Sequence, residues 1–310
     1  MCCFGGTSVA AEIRVVVGCT DRKSLPVTDH LRLGNVASTT DRIKVWQERI
    51  EDAPCRSAAG NLYAGEAWSV ARSLPTTTQT GDAISRWIVS AGYGLIQYSD
   101  PIAPYSAAFA PGGTDSVSAR GETHAAGQWW DELSKWRPPG IFGPRSLRDL
   151  AMEDPEAPIV VAVSATYLKA IWNDLTNAAE VSEQVVVLGR SAPPGVTLIP
   201  CDARIQSTVG GARTSMNNRA LRLLLEQADR HRFRPDAMAS HFEALLADGA
   251  IKTYERAAQT DDQVRRFIRA ERNKQAGLAR TPALRMLRDQ GFACKQERFR
   301  ELWEQIVEEY

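Results

Sequence analysis

The run Ile13-Arg14-Val15-Val16-Val17 leads directly into Gly18-Cys19-Thr20-Asp21-Arg22-Lys23, and this passage decides the fold class. A short β-branched apolar run is the pattern of a buried strand, and the small and polar residues after it read as a loop beyond the strand's carboxyl end. The pattern recurs. Trp87–Ser90 (WIVS) stops at Ala91-Gly92-Tyr93-Gly94, Ile159–Ser164 (IVVAVS) precedes the amphipathic TYLKAIWNDLTNA, and Gln184–Gly189 (QVVVLG) is followed by Thr197–Pro200 (TLIP). Helical spacing fills the intervals at Asn61–Leu74, Ala125–Trp136 and Ser146–Met152. Strands alternating with helices in this way predict an α/β domain: a central, mostly parallel sheet flanked by helices on both faces.

The 310 residues allow a main domain with a smaller attachment, and 44% hydrophobic with 24% charged residues is ordinary globular usage. No window offers the roughly 20 uninterrupted apolar residues of a membrane span. The start, MCCFGGTSVAAEIRVVVGC, lacks the basic region of a signal peptide, so a cytoplasmic protein with no membrane partner is expected. Six cysteines (Cys2, Cys3, Cys19, Cys55, Cys201, Cys294) show no CxxC spacing, and free thiols are expected. The four histidines (His30, His124, His231, His241) show no metal-ligand spacing either. No metal and no cofactor is called for, since GxxxxGK[ST] and GxGxxG are both absent.

After Arg213 the pattern is helical only, through NNRALRLLLEQADRH, FEALLADG, DDQVRRFIRAERNKQ, TPALRMLRDQG and QERFRELWEQIVEEY. We place the division at residues 1–235 for the α/β domain and 236–310 for an Arg-rich helical module. Thr281-Pro282 reads as a helix start and Gly291 as a stop, so the last two helices have the look of a helix-turn-helix or winged-helix module, with helical-bundle packing as the competing reading. The net charge of zero hides an asymmetry: Lys+Arg number 17 against 22 Asp+Glu over residues 1–202, but 20 against 11 over residues 203–300. Seventeen of those 20 cations are Arg, whose planar fork suits phosphate. A solvated, ion-paired helix face is the competing reading. The expected partner is DNA, with Arg213, Arg219, Arg265, Arg266, Arg269 and Lys274 as its contacts; replacing Arg265, Arg266 and Arg269 together should flatten the salt dependence of binding.

Ligands of open α/β sheets sit beyond the carboxyl ends of the strands, so four loops are candidates. They are Gly18–Lys23, Ser90–Leu95, Pro200–Arg204, and Gly210–Arg213 leading to Asn217-Asn218-Arg219. Asp21 is either a general base or a cap for the helix or turn after the strand. Cys19 has no histidine in recognisable relation to it, which argues against thiol catalysis. Tyr93 stands between two glycines, either presented at a pocket or packed in a tight turn.

The set VVVGCTDRK, AAGNLYAGEAW and RWIVSAGYGLI followed by PIAPYSAAF resembles a bacterial family marked by a SAGYGL or SAKYGL motif, over residues 13 to about 120. That family is similar to the peroxide-stress proteins of the cantaloupe fold, and through them to the uracil-DNA glycosylase superfamily and the glycosylase-like domain of archaeosine transglycosylases. With its Arg-rich end, LRDQGFACKQERF, the chain resembles phage-defence DNA glycosylases that remove glucosylated hydroxymethylcytosine. The resemblance implies a uracil-DNA-glycosylase-like fold and monofunctional hydrolysis of an N-glycosidic bond in flipped-out DNA, leaving an abasic site.

It also implies a catalytic Asp in the first loop. Here that loop reads Gly18-Cys19-Thr20-Asp21-Arg22, where uracil-DNA glycosylases have Gly-Gln-Asp-Pro-Tyr. The His-Pro-Ser motif of that superfamily is missing, and Asp202 and Arg204, or Asn217 and Asn218, stand nearest by position. The expected catalytic set is therefore Asp21, Asp202 and Asn218. The expected base-binding set is Cys19, Ser90, Gly92, Tyr93, Tyr105 and Arg204, with Trp68 as a further stacking face. Two other readings stay open: a non-catalytic stress-response DNA binder, and a base-exchanging enzyme acting on RNA. A monomer is expected.

Overall fold

The computed structural model of the chain describes residues 12–37, 40–54, 56–118, 125–231, 233–251 and 255–308. The first eleven residues, with Cys2 and Cys3, and also Cys55 and His124, lie outside the described residues. The chain divides into two units, Met1–Ile251 and Lys252–Tyr310.

The first unit is α/β. Its sheet has six strands: β1 (Glu12–Gly18), β2 (Ala83–Ser90), β3 (Gly94–Gln97), β4 (Ile159–Ala162), β5 (Val185–Gly189) and β6 (Thr197–Pro200). They lie in the order β3-β2-β1-β4-β5-β6. All neighbours run parallel except the hairpin β2–β3. Every apolar run read as a strand is one, and burial explains why: Val15, Val16, Val17, Val160, Val161, Val185 and Val186 are at most 1% exposed, with helices over both faces.

Those helices are α1 (Arg42–Glu51), α2 (Glu66–Arg72), α3 (Ala125–Lys135), α4 (Leu147–Glu153), α5 (Ala165–Ala170), α6 (Trp172–Ala179), α7 (Met216–His231) and α8 (Pro235–Ala247). The expected helix over Asn61–Leu74 is broken: a turn at Ala59–Leu62 ends in extended backbone at Tyr63, and α2 restarts after Gly65 at φ +100°. Left-handed backbone of this kind suits glycine alone.

The domain division differs from the expected 235/236. Met238, Phe242 and Leu246 on α8 belong to the main core, and α8 packs on β6. A change to helical periodicity marked the end of the sheet's strands, not the end of its core.

The second unit holds α9 (Asp261–Lys274), α10 (Arg280–Asp289) and α11 (Gln296–Glu308), with a parallel pair of two-residue strands, β7 (Ala257–Ala258) and β8 (Phe292–Ala293). Val264, Ile268, Leu284, Leu287, Phe299 and Ile306 form its own core. Thr260 caps α9, bonding the Gln263 backbone while the Gln263 side chain returns to Thr260. The expected cap at Thr281 is not formed. Helix α10 begins two residues earlier than a Thr281 cap implies, at Arg280 with Ala279 before it, and Pro282 fits because first-turn N–H groups have no helical partner. Gly291, at φ +83°, ends it as expected. Among the described residues no helix is long and apolar enough to cross a membrane.

Candidate functional site

Taken in chain order, the five parallel strands stand 2-1-3-4-5 across the sheet, so the order reverses between β1 and β4. At such a switch point the connections leave toward opposite faces, opening a crevice beyond the carboxyl ends of the two strands. The loop 18–23 follows β1 there. Beyond β4, Ser164 caps α5 and sets Tyr167 beside the loop: the Cys19 Sγ lies 3.1 Å from the Tyr167 hydroxyl. The Asn217 Nδ2 donates to the Val163 carbonyl at 2.7 Å, bringing the first turn of α7 to the same strand end. The positive end of α7's dipole therefore favours negative charge near this crevice.

Behind the mouth lies a chain of hydroxyl and thiol groups. Tyr63 donates to the Ser90 Oγ at 3.2 Å, Ser90 and Tyr105 share a 2.7 Å bond, and Tyr105 donates to the Cys19 Sγ at 3.6 Å. Burial pushes the phenols of Tyr63, Tyr105 and Tyr167 well above their ordinary value, and that of Tyr93 to about 12. They stay protonated donors at neutral pH.

The raised phenols make stability depend on alkaline pH. Unfolded phenols ionise near pH 10, so below that pH both states keep the protons and the cluster's contribution is whole. Above it the unfolded chain releases protons that the native chain holds, and stability falls as pH rises. The expected melting temperature is level to about pH 9.5 and declines beyond it, with phenolate absorbance from these tyrosines appearing only on unfolding. Ionisation of the four phenols in the still-native protein would refute the buried network.

Lys23 reaches under the loop. Its Nζ donates to the Thr20 and Asp21 carbonyls, both at 2.9 Å, and lies 4.4 Å from the Tyr105 ring centroid and 5.1 Å from that of Tyr63. Burial lowers its pKa, against the pull of Cys19 and Asp21. Two of its protons satisfy carbonyls, and the group lies over the two ring faces. The Asp21 side chain is exposed, and among the described residues its carboxylate has no hydrogen bond or ion pair, though its charge acts on Lys23 and Tyr167.

The SAGYGL segment is not a ligand loop. It is the tight turn between β2 and β3, and its backbone is held by many hydrogen bonds. Ser90 accepts the Gly92 and Tyr93 N–H groups. The Trp129 and Trp46 indoles donate to the Ala91 and Gly92 carbonyls, while the Arg145 guanidinium bonds the Tyr93, Leu95 and Trp136 carbonyls. A Cβ on Gly92 would come within 2.5 Å of the Tyr105 ring, so glycine is there for close approach to that ring and not to a ligand. Tyr93, Tyr105 and Trp68 are at most 1% exposed, and none presents a stacking face. Their expected base-binding role is corrected to core packing.

Asp202 is also set apart. It follows β6, three strands from β1, which at about 4.8 Å per strand is roughly 14 Å. It caps its turn by accepting the Arg204 N–H, and the Arg204 fork closes on both its oxygens at 2.7–3.1 Å. That pairing holds its carboxyl below the ordinary range and uses both side chains as structure. Asn218, buried, donates to the Ala67 carbonyl and ties α7 to α2; its neighbour Asn217 is the one beside the crevice.

The residue that sequence reasoning missed is Glu66, in the first turn of α2. The two residues before it adjoin the loop: Ala64 donates to the Arg22 carbonyl, and Gly65 lies against the Arg22 side chain. Its carboxylate accepts from the Ser215 hydroxyl at 2.9 Å and pairs with Arg219 at 3.4 Å, and the Ser215 bond holds its carboxyl below the ordinary range. Gly211, at φ +74°, leaves space for the Arg219 guanidinium, which a Cβ would meet at 2.3 Å. Arg219 is thus held within the first unit by Glu66 and Ser215. Arg213 is exposed in the same connection.

The remaining expected DNA contacts lie on α9. Arg265 pairs with Asp262 at 3.1 Å and donates to Gln305, Arg266 donates to the Asp262 carbonyl, and Lys274 pairs with Glu271 at 2.7 Å. Arg269 lies on the same helix. Among the described residues no three His, Cys, Asp or Glu side chains are grouped to hold a metal, and Cys19, Cys201 and Cys294 are free thiols. Burial pushes the Cys201 thiol to about 12. Comparison of the chain with protein-family models, curated proteins and solved structures finds no match.

Proposed function

We propose that this chain is a monofunctional DNA glycosylase, with Asp21 as the carboxylate that aligns the attacking water. The observation that carries the reading is the place of Asp21: an exposed carboxylate, unpaired among the described residues, beyond β1 at the switch point of the sheet. The resemblance to phage-defence glycosylases supplies the substrate class, glucosylated hydroxymethylcytosine in phage DNA, and with it an antiviral role and kinship to the uracil-DNA glycosylase fold.

Hydrolysis of a nucleoside needs a carboxylate at the sugar and a positive environment for the departing base. In the proposed step water attacks C1′ and the C1′–N bond breaks. The bonding electron pair leaves with the base, and Asp21 takes up the water's proton while its charge stabilises the oxocarbenium-like sugar. The amino end of α7, anchored through Asn217, favours the negative charge gathering on the base. The half-buried ring of Tyr167 lies against Gly18 and Cys19 of the loop. Incubation with duplexes carrying cytosine, hydroxymethylcytosine or glucosylated hydroxymethylcytosine, followed by mass analysis of released base and alkali cleavage, tests the reading. Release from none of the three would reject it.

Lys23 is the one amine in the loop and so the only local candidate for a lyase mechanism through a Schiff base. Its Nζ is tied to two carbonyl oxygens, each 2.9 Å away, and lies over the Tyr105 ring, which holds it beneath the loop. Borohydride is therefore expected to trap no covalent protein–DNA adduct during turnover. An adduct lost in Lys23→Gln would establish the lyase route instead.

A further inference from the structure

The charge that suggested a nucleic-acid partner is distributed differently from the expectation. Counted over the whole second unit, residues 252–310, Lys+Arg number 13 against 10 Asp+Glu. Helix α11, which as the second helix of a helix-turn-helix would enter the major groove, carries Glu297, Glu301, Glu304 and Glu308 against Arg298 and Arg300. Both arginines are engaged by acids, Arg298 with Asp261 at 2.7 Å and Arg300 with Glu297 at 3.6 Å. A helix of this charge is repelled by a duplex.

The cations gather instead in a cleft of about 190 Å³ along α10. Its wall is formed by Arg256, Arg280, Arg285 and Arg288, with Thr281 and Gln296 between them and Asp289 as its one carboxylate. Arg256 and Arg288 are braced, the first donating to the Arg288 carbonyl and the second to the Cys294 carbonyl. Arg285 is 85% exposed and meets Asp289 only at 3.7 Å, a contact that water largely screens. Arg280 pairs with Glu304 at 3.1 Å, so the four guanidinium groups around the cleft are partly balanced by two carboxylates, and an anion with several acceptor oxygens would complement the rest.

We propose that this α10 cleft is the surface by which the chain holds the phosphodiester backbone of DNA, a proposal that rests on the glycosylase reading. Every cation of the cleft is Arg, the side chain that grips phosphate through two parallel N–H donors. Arg280 and Arg288 are eight residues apart on one helix, about 12 Å at 1.5 Å per residue. That length suits a strand with successive phosphates better than a single phosphate ion.

The test uses the full chain and a fluorescent 24-base-pair unmodified duplex, with anisotropy measured over a series of KCl concentrations. Each phosphate contact adds about 0.9 to the slope of log K against log salt. Arg280→Gln/Arg285→Gln is expected to lower that slope by about 2, and Arg285→Gln alone by about 1, with Arg285→Lys restoring it. The pair Arg265→Gln/Arg266→Gln on α9 is expected to keep the wild-type slope. Arg285 is exposed, so its single variant remains a fair test should loss of the Arg280–Glu304 pair loosen the fold. An unchanged slope in both α10 variants overturns the proposal, as does the absence of salt-dependent binding by the wild type. Base release measured with the same protein preparations on hydroxymethylated and glucosylated duplexes separates the two claims. Release with an unchanged slope rejects the cleft alone; a lowered slope with no release from any modified duplex rejects the glycosylase reading and leaves the cleft standing.

Discussion

Asp21→Asn is expected to lower base release by at least about 100-fold, the usual contribution of a positioned acid–base group, while changing duplex binding less than about twofold. The substitution is nearly isosteric, and the loop should hold its shape. Lys23 binds the main-chain carbonyl of Asp21, which asparagine retains, and the side chain makes no bond among the described residues that could be lost. What disappears is the charge that opposes the developing positive sugar and the acceptor that takes the water's proton, both felt mainly in the transition state. Single-turnover release from a glucosylated duplex, alongside anisotropy on the same DNA, reads the two effects separately. Full activity in this variant would dismiss Asp21. The role would not pass to Asp202, which Arg204 occupies three strands away, but to Glu66, the carboxylate that adjoins the loop through Ala64 and Gly65.

Tyr93→Ala is expected to be the most destabilising of the substitutions considered, by about 3–5 kcal/mol, the cost of truncating a large buried aromatic. The Tyr93 ring packs edge-on to Tyr105 at 5.3 Å and against Trp136 at 6.1 Å, and its hydroxyl accepts the Ala103 N–H at 2.8 Å. Removing it leaves a cavity and a buried donor without a partner. In a unit of this size the loss corresponds to a fall of roughly 10 °C in melting temperature. Tyr93→Phe keeps the ring and isolates the hydrogen bond, with an expected cost of about 1–3 kcal/mol. Thermal denaturation of the two variants decides the matter. Lost activity with an unchanged melting temperature in Tyr93→Ala would return this residue to a binding role.

The same segment shows where reading a sequence stops. Two glycines around an aromatic are compatible with a ligand loop and with a tight turn, since both need close backbone approach. The deciding partners, Trp46, Trp129 and Arg145, lie 46, 38 and 52 residues away along the chain, and nothing local to SAGYGL announces them. Glu66 escaped notice for a related reason: its partners Ser215 and Arg219 are about 150 residues distant.

The arginine count had the opposite defect. Its total over residues 203–300 was correct as arithmetic, yet a sum ignores pairing. Three residues apart on α9, Asp262 and Arg265 become neighbours, as do Glu271 and Lys274, and with Arg219 on Glu66 three of the six predicted contacts are paired with an acid.

By itself the sequence determined most of the sheet. Five of its six strands lie in apolar runs visible in the sequence, because a β-branched run buried on both faces has no other stable place, whereas β3 (Gly94–Gln97) begins in a segment that reads as a loop. It also placed the loop 18–23 at a strand end, since a glycine and polar residues cannot continue such a run. The tertiary structure alone decided which strand ends meet. The 2-1-3-4-5 order puts β4 beside β1 and sends β6 to the far edge, so that the loop carrying Asp21 meets Tyr167 from beyond β4 while Asp202 lies three strands away. Strand order is set by how long connections pack on the two faces, a sum over many weak apolar contacts, and no single residue records it.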